Sequence, residues 1–111
     1  MSKFKDLTPQ EKIDFAARYI IIHSIIYYEL NESIISDKKF DKKAAVLVKL
    51  MKKYPEELEN SEYYRAIYDF DGSTGFLLYS RLKKKQRKYL MHLAKYILSL
   101  YRPEQRGGGR K

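Results

Sequence analysis

The chain has 111 residues, 44% of them hydrophobic and 33% charged, which is enough for one compact domain and too short for two of ordinary size. Its 23 Lys and Arg against 14 Asp and Glu leave a charge of +9, unevenly spread: residues 1–60 carry 11 basic and 10 acidic side chains, residues 61–111 carry 12 and 4. The absence of cysteine excludes disulfides, thiolate metal sites and cysteine nucleophiles, and beyond Asp71 Glu104 is the single acidic side chain, so multi-carboxylate chemistry has no seat in the C-terminal third.

Thr8-Pro9-Gln10-Glu11 is a helix start, with Thr8 as cap, Pro9 at the first helical position and Glu11 closing a capping box. The spacing predicts a helix to about Tyr28. Ile13, Ala16, Ala17, Ile20, Ser24 and Tyr27 recur at helical intervals, and Phe15, Tyr19, Ile22 and Ile26 widen the stripe. A face that wide requires several neighbours or a partner. Its apolar runs, such as Tyr19 to Ile22, are far too short to span a bilayer, and Met-Ser-Lys-Phe-Lys-Asp has no signal core, so a cytoplasmic protein without membrane contact is expected.

Glu29 to Ile35 breaks the pattern, and Ser36 or Asp37 caps a second helix with Phe40, Ala44, Leu47 and Met51 on one face and lysines over much of the rest. Tyr54-Pro55 ends it, because proline disfavours helical geometry in the residue before it. Glu56 to Glu62 reads as a loop or short helical turn. Tyr64 to Phe70 and Phe76 to Ser80, separated by Asp71-Gly72-Ser73-Thr74-Gly75, read as a short β-hairpin. A long basic helix follows from Leu82 to Tyr101, with Leu82, Gln86, Tyr89, Leu93, Tyr96, Ile97 and Leu100 inward. Residues 103–111 read as a flexible basic tail after a single domain at 1–102.

The segment from Tyr27 to Asp41 holds the most chemistry. It sets Tyr27 and Tyr28 at the end of one helix and Asp37, Phe40 and Asp41 at the start of the next. A helix-loop-helix corner of this composition stacks a flat ring between aromatic faces while two carboxylates one turn apart face its positive charge. The same residues also suit an Asp helix cap with core aromatics.

Those residues resemble the N-terminal subdomain, called Ia, of bacterial NAD-dependent DNA ligases. Its signature has a Tyr followed by His or Tyr, then Asp, often Pro, an Asp after Ser or Pro, and a final Tyr-Asp pair. Tyr27 and Tyr28 match the opening pair, Asp37 the capping acid, and Phe40 and Asp41 the closing pair, and the similarity extends over residues 10–55. Asn31 stands at the signature's first Asp, Ser33 at its Pro, and Phe40 lacks the usual phenol. The resemblance implies a site for NAD or nicotinamide mononucleotide on Tyr27, Tyr28, Asp37, Phe40 and Asp41. The ligases' adenylated Lys-x-Asp-Gly is missing: Asp69-Phe70-Asp71-Gly72 has Asp in place of the nucleophilic Lys, so ligase chemistry is excluded. The same string, continued by Ser73, resembles the first motif of haloacid-dehalogenase-type phosphatases, but the chain cannot supply their downstream acidic pair, and a turn accounts for these residues. His23 and His92 read as core or rim residues rather than ligands, and no metal site is expected.

Arg81, Lys83, Lys84, Lys85, Arg87 and Lys88 open the last helix, where cations oppose the macrodipole. A solvated lysine face is one reading. Contact with phosphates or an acidic protein surface is the other, with Arg106, Arg110 and Lys111 of the Gly-rich tail contributing. The expected protein is therefore mainly α-helical, with a short β-hairpin and a long basic C-terminal helix. Its expected role is non-catalytic: a nicotinamide-nucleotide module that touches nucleic acid or a nucleic-acid-associated protein complex. The alternative is a small phage or mobile-element effector that inhibits a host nuclease or defence protein by direct contact.

Overall fold

The computed structural model describes residues 4–101. A short 3₁₀ turn at Phe4–Asp6 leads into helix α1 (Pro9–Ser24), which continues as one π-helical segment (Ile25–Glu29). Helix α2 (Asp37–Lys53) and the short helices α3 (Pro55–Glu59), α4 (Tyr64–Ile67) and α5 (Leu78–Arg81) precede the long helix α6 (Lys84–Tyr101).

Helix α1 begins as its sequence dictates. The Glu11 amide donates to Thr8 Oγ1 at 3.1 Å, and the Thr8 amide donates to Glu11 Oε1 at 2.9 Å, so two otherwise orphaned donors are satisfied reciprocally. Ile13, Ala17, Ile20, Ile21 and Ile25 are fully buried along it, because α2, α3, α5 and α6 all pack against α1. The wide apolar face is thus absorbed within the chain, apart from Phe15 and Tyr27, which point outward. Polar ties fix the next segment on the other flank of α1: Ser61 Oγ donates to Asp14 Oδ1 at 2.6 Å, Gln10 Nε2 to the Glu57 carbonyl at 3.1 Å, and Arg18 Nε to the Tyr63 hydroxyl at 3.1 Å.

The expected hairpin is not formed. Among the described residues there is no strand, and the two apolar runs are α4 and α5. The burial pattern gives the reason, since Tyr63, Ala66, Ile67 and Phe70 are buried at intervals of three and four, a helical stripe that an alternating strand cannot present. An isolated two-stranded hairpin is also marginal in water, whereas α4 and α5 close their own hydrogen bonds, pack on each other and, through α5, on α1. The intervening turn survives. Asp71 Oδ1 accepts from the Ser73 hydroxyl at 2.6 Å and its amide at 2.9 Å, which together lower the Asp71 carboxyl pKa, and Gly72 takes φ 91°.

Helix α6 is where expected, but it is rotated about its axis. Leu90, Ala94 and Leu98 are buried; of the residues expected inward, Leu82 is buried just before the helix and Leu93 and Ile97 pack partly buried against the core, while Tyr89, Tyr96 and Leu100 are 59%, 56% and 60% exposed. Two apolar stripes compete for the core on this helix. The one carrying Ala94 allows close approach to α1 without burying hydroxyls, whereas inward tyrosines each need a polar partner. The described part of the domain ends at Tyr101, and the tail at 103–111 lies outside the described residues. No helix among those described is long and apolar enough to cross a membrane.

Candidate functional site

Three chain segments enclose a cleft of about 260 Å³. The end of α1 and its π segment contribute His23, Ser24, Tyr27 and Tyr28; the start of α2 contributes Asp37, Phe40 and Asp41; Ser73, Thr74 and Gly75 form the third wall. All five residues singled out for a nicotinamide nucleotide therefore meet at one cavity.

Local sequence explains the first two walls. The Leu30 amide donates to the Ile25 carbonyl at 3.1 Å and the Glu32 amide to the Ile26 carbonyl at 2.9 Å, so the helix unwinds through wider turns. Asn31 then takes φ 55°, the single left-handed non-glycine residue among those described. Asn tolerates that region because its short side chain can hydrogen-bond locally. Ser36 caps α2 by accepting the Lys39 amide at 3.0 Å. Asp37 is consequently the first helical residue rather than the cap, and Asp41 sits one turn below it.

Tyr27 and Tyr28 meet edge to face, with centroids 4.8 Å apart, and Tyr28 makes a second edge contact with Phe76 at 5.3 Å. The Tyr28 hydroxyl shares a 2.7 Å hydrogen bond with Thr74 Oγ1, which fastens the third wall to the first. Gly75 makes that closure sterically feasible: a Cβ there would lie 1.9 Å from Ser24 Oγ. Ser24 is 2% exposed, and its hydroxyl has no hydrogen-bond partner among the described residues. Nothing local in the sequence marks Ser24 or residues 73–75 as parts of the cleft. The turn was visible as a turn, but no local pattern links Thr74 to a tyrosine 46 positions earlier.

The cleft is acidic on a basic protein. Its lining has two carboxylates and neither Lys nor Arg. Half-buried His23 packs on Tyr19, with centroids 4.4 Å apart, and its pKa is lowered to about 4, chiefly by burial and secondarily by the Lys39 charge. At neutral pH the imidazole is uncharged, so it adds no positive potential to the cavity. A shallower groove of about 360 Å³ adjoins at Asp41, between Lys49 and Lys52 of α2 and the Asp71-Gly72 turn.

The six cations expected to face an anionic partner divide in two. Arg81 pairs with Asp69 and lies over the Tyr68 ring at 5.3 Å, and Arg87 donates to the Leu82 carbonyl at 2.6 Å, so both serve the chain's own packing. Lys83, Lys84, Lys85 and Lys88 are exposed. The unfavourable helix start is offset by Gln86, which accepts the Lys83 amide at 3.0 Å and donates to the Glu62 carbonyl at 2.6 Å. Arg106, Arg110 and Lys111 lie outside the described residues. His92 is exposed, and among the described residues no cluster of His, Asp or Glu is placed to hold a metal ion.

Comparison with known proteins finds no matching family model, no matching curated protein and no matching solved structure.

Proposed function

We propose that this protein is a non-catalytic binding module that takes a nicotinamide nucleotide in the cleft and meets an anionic partner, nucleic acid or a nucleic-acid-processing complex, through α6. The observation that carries the first half is the meeting of Tyr27, Tyr28 and Phe40 with Asp37 and Asp41 in a cavity lacking any Lys or Arg. The nicotinamide ring of NAD or nicotinamide mononucleotide is a flat cation. It gains from an aromatic face, from nearby carboxylates and from a neutral rather than protonated imidazole. Phe40 supplies the apolar part of that recognition without a phenol.

Calorimetry with nicotinamide mononucleotide and NAD tests the reading directly. The expected outcome is saturable binding in the micromolar range that disappears in Asp37→Ala and in Tyr27→Ala. Affinity no better than millimolar, or equal binding by both variants, refutes it. For the second half, the exposed lysines at positions 83, 84, 85 and 88 are the relevant charges. Affinity for a polyanion should fall steeply with salt, and each lysine neutralised should reduce the logarithmic salt slope by roughly one.

A further inference from the structure

The rotation of α6 places outward Tyr89, Tyr96 and Leu100, three of the residues that its sequence suggested should be core. Tyr89 and Tyr96, seven residues apart, stand roughly 10 Å from one another along the helix axis. Lys84, Lys88 and Lys95 form an exposed basic row roughly a quarter-turn or a little more round the helix from the tyrosines, with exposed Lys85 between the two lines, and α6 contains no carboxylate. We propose that this face binds single-stranded nucleic acid without sequence preference, its phosphates along the lysine row and its bases stacked on Tyr89 and Tyr96.

The proposal rests on the reading of α6 as an anion-binding element and names the anion. Three observations select a single strand. First, paired rings that are more than half exposed beside a row of cations match the combination by which unpaired strands are held, a charged track plus stacking platforms. Second, in a duplex the base faces are already stacked inside, leaving these rings with nothing to cover. The roughly 10 Å between them spans about three nucleotide steps at a rise of ~3.4 Å. Third, the side chains on this helix best suited to reading base edges are engaged elsewhere: Gln86 donates to the Glu62 carbonyl and Arg87 to the Leu82 carbonyl, both at 2.6 Å. Lysines grip backbone and tyrosines stack on any base, so the recognition is general.

Fluorescence anisotropy of the full chain with labelled oligothymidine and oligouridine of about sixteen nucleotides, and with a duplex of equal length, tests this. Tighter binding of either single strand than of the duplex at equal salt supports the proposal. Tyr89→Ala/Tyr96→Ala should weaken single-strand binding about tenfold or more with the salt slope unchanged, while Lys88→Gln/Lys95→Gln should lower the slope. Tyr89→Phe/Tyr96→Phe keeps the rings and should bind like the parent, which guards against a folding defect in the alanine pair. Equal affinity for duplex and single strand, or alanine variants binding within about twofold of the parent, overturns stacking while leaving salt-dependent anion binding intact. No binding to any of the three polymers at low salt overturns both readings. Sedimentation showing a dimer that Tyr89→Ala/Tyr96→Ala dissolves assigns the face to a second copy and likewise overturns the proposal.

Discussion

The cleft joins two carboxylates to aromatic walls with no Lys or Arg in its lining, whereas α6 carries lysines, tyrosines and no carboxylate. The cleft is concave and assembled from three chain segments, so its electrostatics depend on the fold holding together. The outward face of α6 is convex and comes from one continuous helix, so its charge and ring spacing follow from helical geometry alone. Salt separates them in the same way: partly enclosed contacts are little screened, while the reach of exposed lysines is cut to about a Debye length, roughly 10 Å at 0.1 M. A net charge of +9 therefore describes the average of two unlike surfaces.

The largest expected effect breaks the comparison at its base, the orientation of α6. Leu90→Ala should lower unfolding free energy by about 2–5 kcal/mol, and neighbouring Tyr89→Ala by no more than about 0.5 kcal/mol, measured by urea titration. The reverse order would put the tyrosine stripe inside and remove the proposed stacking face.

Next, Gly75→Val presses a side chain into Ser24 and should cost roughly 1–3 kcal/mol while displacing the third wall. The expected outcome is lost nucleotide binding in the cleft with unchanged affinity of α6 for polyanions. Loss of both would show that the two regions are not independent.

Acid should act on the cleft through His23. His23 has a folded pKa of about 4 against an ordinary value of 6.5, so the unfolded chain takes up the proton first. Its contribution to stability is complete above about 6.5 and is lost as pH falls towards about 4. Urea midpoints for His23→Gln should fall less over that interval than those of the parent.

Smallest is Ser24→Ala. Removing a buried hydroxyl that lacks a partner should raise stability by about 1 kcal/mol, read as a higher urea midpoint. A destabilised variant would instead indicate that the hydroxyl is satisfied.

Much of the cleft was legible because its signals are local. The Thr8 and Glu11 box, the Ser36 cap and the Tyr54-Pro55 stop set the helix ends, and those ends fix where Tyr27, Tyr28, Asp37, Phe40 and Asp41 sit on either side of the corner. The hairpin expectation failed although residues 63, 66, 67 and 70 already had helical spacing. Their aromatic richness and the Asp71-Gly72 turn signal pointed towards strands, and burial of that helical stripe in the core outweighed both. Ser24 and the 73–75 wall were illegible for a different reason: a contact across 46 positions has no local signature.

By itself the sequence determined the start of α1, both ends of α2 and the concentration of positive charge towards the C-terminus, and it set Tyr27, Tyr28, Asp37, Phe40 and Asp41 on either side of one corner. The tertiary structure alone decided which stripe of α6 meets α1, which cations are spent on Asp69 and Leu82, and that a distant turn closes the cleft through Tyr28 and Thr74. Those choices turn on side-chain volume, hydroxyl desolvation and long-range hydrogen bonding, which act only once the helices are packed together.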